Sequence, residues 1–403
     1  MTKVNADILT WARESAGYSS EEAANKLGIK DARGMSAVER LEQLEWGDVE
    51  PSRPLLLKMA SQYHRPLLTF YMNEPPSKAD IGEDFGTLPP DISMGTQEGI
   101  LDALIRGVKA RQEILRSTLE AEEGLDNLSW VGSVNMKAGL DTVKQSIIEL
   151  AGFTGEDYWN CSSPDAGFSF IREKIESLGA YVLLISNLGS YTTTVDVERF
   201  RGFALSDSAM PFIVINDQDA KPAWSFTLLH ELVHLWLGVT GVSGSAGDVA
   251  IEKFCNDVAG QILLPDEKVR ALGITKADDI THVRDIISSF SSDLNLSRSM
   301  VAYRLERLDM ITSATWRSLT SSYRAQFLSR RAAIKEKAKQ TAGGPNYYVI
   351  RKHRLGATLI NTVGRLLSGG SLSTTKAGTV LGVKPKNVRK LIDFRRTDAF
   401  GGI

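Results

Sequence analysis

The run FTLLHELVHLWLG, Phe226 to Gly238, constrains this chain more than any other stretch. Its apolar residues fit a helix that stops at the glycine. Inside it stand two histidines and a glutamate, residue types that an apolar helix has no packing reason to hold. They are His230, Glu231 and His234, an HExxH pattern. At 3.6 residues per turn His230 and His234 project from one face and can bind one Zn²⁺. Glu231 then stands beside the metal and can take a proton from a water there.

A third ligand is expected from a neighbouring element. Gly238, Gly241, Gly244 and Gly247 make a turn that can reverse the chain, and Asp248 suits the N-cap of a following helix. On that helix Glu252 and Asn256 are four apart and share a face. Glu252 is assigned as the third ligand, with Asn256 orienting a ligand histidine through its other ring nitrogen. Asp248 and Asp257 compete for the ligand role, but Asp248 is explained by its cap position and Asp257 is one residue off the Glu252 face. Two histidines, one carboxylate and a water make an open site of the catalytic type.

This arrangement resembles the ImmA/IrrE family of zinc metallopeptidases. The resemblance rests on FTLLHELVHLWLG, on EKFCNDVAGQILLP (Glu252 to Pro265) and on RGFALSDSAMPFIVINDQD (Arg201 to Asp219), and covers roughly residues 80 to 310. It implies a gluzincin-like endopeptidase whose targets include DNA-binding repressors. Cys255 and Val258-Ala259 depart from the small alanine-rich residues usual in the family, without touching a ligand. Fused chains of this type also resemble proteins found beside small toxin genes. That keeps open a second reading, a DNA-binding regulator or antitoxin whose zinc is structural or vestigial.

A chain of 403 residues has room for two or three domains. No apolar run reaches transmembrane length, and the N-terminus lacks a signal peptide's apolar core, so a cytoplasmic protein without a membrane partner is expected. Two cysteines, Cys161 and Cys255, argue against a disulfide framework and against a cysteine-based zinc site. Cys255 is expected in the packed face of its helix, as a small hydrophobe. His64, His282 and His353 have no ligand partner at useful spacing.

Charge is uneven. Residues 315 to 403 hold eighteen Lys and Arg against three acids, a surplus of +15, while the whole chain carries −2, which leaves −17 on residues 1 to 314. Such asymmetry points to a nucleic-acid or acidic-partner surface at the basic end.

Residues 1 to 76 read as a small helical domain. The segment LEQLEWGDVEPSRPLLLKMASQYHRPLLTFY is similar to the Cro/repressor-type (XRE-family) helix-turn-helix, which implies DNA binding. Yet the segment holds nine basic and eleven acidic side chains, and Glu39, Glu42 and Glu45 share the recognition helix with one arginine, Arg40. Phosphates repel such a face. Protein contact or homodimerisation is the competing use.

A Pro- and Gly-bearing linker follows, from Glu74 to Gly95. Helices are expected over 100–122, 140–151, 168–178 and 296–311, and strands over 181–185, 203–205 and 212–215. One strand within 201 to 216 is expected to be a sheet edge that pairs with an extended substrate. At the basic end, Ser371 to Leu381, Gly382 and Pro385 to Ile392 form a second helix-turn-helix-like pattern, with Lys386, Arg389, Lys390, Arg395 and Arg396 as candidate nucleic-acid contacts. The competing use is docking of this segment onto the acidic remainder of the molecule or onto a partner. The expected architecture is α+β and mostly helical: a zincin-like peptidase domain with a small sheet over 77–313, flanked by helix-turn-helix-type domains at 1–76 and 314–403. The expected function is cleavage of a protein substrate, a repressor or toxin-partner regulator.

Overall fold

The computed structural model describes residues 3–76, 95–122, 124–242, 249–340 and 346–394. They divide into two compact units. One takes residues up to 110 and 186–200, and the other takes most of the remainder.

In the first unit, α1 (Ala6–Ser15), α2 (Ser20–Leu27), α3 (Ala37–Glu45) and α4 (Arg53–Gln62) precede a short 3-10 turn at Leu67–Tyr71. The helix starts follow capping rules. Ser19 with Glu22 and Ser36 with Glu39 form reciprocal capping boxes, and the Asn5 and Ser52 side chains cap α1 and α4. Ile8, Leu9, Ala12, Leu41, Met59 and Phe70 fill the core. Across it, Arg13 Nε and Nη2 donate to Glu45 Oε1 and Oε2 at 2.7 and 3.0 Å, both side chains being buried. Glu45 therefore leaves the set of acids facing outward from α3, and Glu39 is engaged at the helix start. The acidity of this helix is partly internal, which weakens the charge argument made from sequence.

The helix α5 (Thr96–Glu122) has residues in both units. The second unit contains α6 (Leu140–Ala151), α7 (Gly155–Trp159), α8 (Pro164–Ser177), α9 (Lys221–Trp236), α10 (Val249–Leu263), α11 (Asp266–Arg270), α12 (Ile280–Asp293), α13 (Arg298–Arg307), α14 (Ser313–Gln340), α15 (Tyr347–Leu355), α16 (Ala357–Ser368), α17 (Thr374–Leu381) and α18 (Val388–Asp393). Its sheet is built from β1 (Tyr181–Leu184), β2 (Gly202–Leu205), β3 (Phe212–Ile215) and β4 (Gly241–Val242), in the order β1-β3-β2-β4. β1 runs parallel to β3, and β2 is antiparallel to both β3 and β4. The fold is α+β and mostly helical, as the sequence suggested.

Strands β1, β2 and β3 are buried at every position, which explains why they read as unbroken apolar runs. α9 packs on β2 and β3 and is flanked by α8 and α10. Being apolar on nearly all sides, it is a core helix. Pro222 opens it, and Gly238, at φ +71, ends it. The edge-strand expectation is corrected here: β2 and β3 are both interior, and the edges among the described residues are β1 and β4. The sequence hid β4 because two residues among glycines give no alternation to read.

The boundary expected after residue 313 does not separate the two units. α14 packs on α13, and Arg172 of α8 donates to the carbonyl of His353 while its neighbour Glu176 accepts from the amide of Thr358. Among the described residues no helix is long and apolar enough to cross a membrane.

Candidate metal centre

α9 and α10 bring together the residues that their spacing singled out. His230 and His234 lie one turn apart on α9, 3 % and 2 % exposed, and α10 sets Glu252 against them. The Nε2 atoms of the two rings are 3.1 Å apart. His230 Nε2 lies 3.3 Å from Glu252 Oε2, and His234 Nε2 lies 3.3 Å from Glu252 Oε1. Three donors held at zinc distances around one ion at tetrahedral angles are separated by roughly 3.3 Å. The observed spacings therefore fit a single tetrahedral cation. Among the described residues this is the one cluster of His, Cys, Asp and Glu that could hold a metal. Glu252 keeps about a quarter of its side-chain surface exposed, so the cluster opens on its side.

The electrostatics agree with the geometry. Burial opposes a proton on His234, yet the neighbouring Cys255 and the Glu252 carboxylate push its pKa up to about 11. Burial likewise opposes charge on Glu252, yet hydrogen bonding to the two histidines takes its carboxyl down to about 2. Glu252 therefore faces His234 as a charged pair, and a cation bound at the cluster would take the place of the His234 proton.

Glu231 follows His230 and is fully buried. β2 crosses α9 tightly at this point. A Cβ on Gly202 would stand 2.7 Å from Thr227 Cγ2, 2.8 Å from Glu231 Oε1 and 3.0 Å from Glu231 Cγ. Glycine is required there by the close approach, and the strand backbone limits where the Glu231 carboxylate can lie. Sequence reasoning missed Gly202, although a glycine opening an apolar strand signals close approach of another element. Gly202→Ala is expected to displace the Glu231 side chain while leaving the three ligands in place. Metal content should hold and peptidase turnover should drop at least tenfold. Turnover equal to the wild type would show that the contact positions nothing.

One expectation changes. The Nδ1 atoms of His230 and His234 have no hydrogen-bond partner among the described residues, so Asn256 orients neither ring. Cys255, Val258 and Ala259 are buried in the core, whereas Asn256 is only half-buried. Cys255 is fully buried in the core, as expected for a small hydrophobe on the packed face of its helix. Asp257 is engaged elsewhere: Tyr303 Oη donates to Oδ1 at 2.8 Å, and Arg307 donates to both oxygens at 2.7 Å. Asp248, Arg395 and Arg396 lie outside the described residues, as do most of the expected linker, residues 77–94, and of the glycine turn, residues 243–248.

Residues 179–306 match the family model described as the IrrE N-terminal-like domain, a peptidase family. The match covers the sheet, α9 and α10, and supports the ImmA/IrrE resemblance and a metallopeptidase-type domain for this part of the chain. No curated protein and no solved structure matches the chain.

Proposed function

We propose that the chain is a zinc-dependent metallo-endopeptidase with a regulatory role. The observation that carries this reading is the His230, His234 and Glu252 triangle at tetrahedral spacing with Glu231 buried next to it. His230, His234 and Glu252 would hold the ion. Zinc supplies Lewis acidity, polarising an oxygen and easing loss of a proton at neutral pH. Glu231 accepts the proton of the attacking water as its oxygen bonds to the scissile carbonyl carbon. It then returns that proton to the amine nitrogen as the C–N bond breaks. Gly202 keeps the strand close, so that the carboxylate has little room to swing away. The family resemblance directs the choice of substrate to a protein, either a repressor or a partner regulator.

Metal analysis tests the reading. Protein purified from zinc-replete medium is expected to hold about one zinc per chain, from one three-ligand site. Chelation should stop cleavage, and added zinc should restore it. Cleavage that persists in fully metal-free protein would overturn the proposal.

A further inference from the structure

The basic end of the chain forms a structure that the peptidase reading does not use. α17 ends at Gly382, in the left-handed conformation at φ +60, and the chain enters a 3-10 turn at Pro385–Asn387 that leads directly into α18. Ala377, Val380, Leu381, Val388 and Leu391 are fully buried, and α16 packs against both α17 and α18. A Cβ on Gly378 would stand 2.9 Å from the Val383 carbonyl oxygen, so α17 meets the turn at a distance that suits only glycine. Two helices joined by a short glycine-bearing turn, locked through their inner faces, make a helix-turn-helix.

The basic side chains here fall into two groups. Arg351 Nη2 donates to the carbonyls of Leu381 and Gly382, both at 2.7 Å. Lys352 Nζ donates to those of Ile392 and Phe394, and Arg354 pairs with Asp217. These three hold the motif together or dock it. In contrast, Lys376, Lys384, Lys386, Arg389 and Lys390 are exposed, and none has a side-chain hydrogen bond or ion pair among the described residues. All five lie on α17, on the turn or on α18, where Asp393 is the single acid. Docking onto the rest of this chain therefore leaves these charges unmatched. Beside them opens a cleft whose lining includes Tyr347, Thr375, Thr379 and Asn387, groups that can donate hydrogen bonds to phosphate oxygens.

We propose that this helix-turn-helix binds double-stranded DNA, with the segment 385–393 in the major groove and Lys384, Lys386, Arg389 and Lys390 facing phosphates and base edges. The major groove of B-form DNA is wide enough for a protruding helix, whereas that of A-form RNA is too deep and narrow to be read by side chains. Binding of the full-length protein to a mixed-sequence 40-base-pair duplex, followed by fluorescence anisotropy between about 50 and 200 mM salt, tests this. The wild type should bind with a steep loss of affinity as salt rises. The Lys386→Glu, Arg389→Glu, Lys390→Glu triple variant should bind at least tenfold more weakly at low salt, with a slope flatter by about two to three units. Arg389→Gln with Lys390→Gln reads the same effect at smaller scale, should the triple variant melt below the wild type. Wild-type affinity and slope in both variants would overturn the proposal. So would absence of duplex binding by the wild type at low salt, or displacement of the duplex by an equal length of RNA. None of these outcomes depends on peptidase activity.

Discussion

Glu231→Gln is expected to retain zinc and to lose proteolysis by on the order of a hundredfold or more, the usual scale for removing a general base. Glutamine has nearly the size and shape of glutamate. It can therefore fill the fully buried position against Gly202 and Thr227 without disturbing His230 or His234. What it lacks is the ability to accept a proton. Because the substrate is sought rather than given, the measurement is a comparison of new protein N-termini in cells expressing wild type or variant at equal levels. Cleavage products present with the wild type and missing with Glu231→Gln identify the substrate and establish the base together. Products of equal abundance in both would assign the cleavage to another enzyme. If a cellular phenotype of the chain survives the change intact, that phenotype does not report proteolysis.

The histidine pair of the candidate metal cluster was legible in the sequence because helical periodicity places both on one face. Two histidines four residues apart on an otherwise apolar helix share a face whatever the fold. Glu252 was assigned on a different ground, since a helix with a carboxylate near its start follows a glycine-bearing turn that can reverse the chain. Helix 140–151 and strand 212–215 were likewise readable, the first from its apolar stripe and the second from a short run buried on both faces. The misses are tertiary. Asn256 lies one turn from Glu252, and sequence spacing cannot say whether its side chain reaches a histidine ring. Arg13 and Glu45 are 32 residues apart, and nothing local marks either as buried. α14 falls in the segment expected to be basic and helical, but its bounds were not readable because its Ser, Thr, Lys and Arg residues carry a thin apolar stripe, with Leu319 and Tyr323 as its buried hydrophobic anchors. The basic segment shows both kinds of limit. Its charge is plain in the sequence, but which cations turn inward, as Arg351 and Lys352 do, is decided only by packing.

Glu252→Ala is expected to cost the protein most of its zinc, whereas Asp257→Ala should leave zinc in place and lower stability instead. The two carboxylates sit on one helix, five residues apart, and both are candidate ligands by residue type. Their surroundings separate them. Glu252 approaches both ring nitrogens at 3.3 Å and keeps an exposed flank from which an ion can enter. Asp257 is 8 % exposed and already accepts hydrogen bonds from Tyr303 and Arg307 on α13. Removing Glu252 leaves two histidines without the charge that neutralises a divalent cation, and two neutral ligands hold zinc poorly compared with three. Removing Asp257 strands the Arg307 guanidinium and the Tyr303 hydroxyl at the α10–α13 contact, a loss on the order of 1–3 kcal/mol. Inductively coupled plasma mass spectrometry of the two variants beside the wild type reads the first effect, and chemical denaturation of the zinc-loaded proteins reads the second. Full zinc retention by Glu252→Ala would move the third ligand elsewhere, with Asp248 next to be tested. Zinc loss by Asp257→Ala at unchanged stability would mean that α10 presents a different face to α9 than the one described.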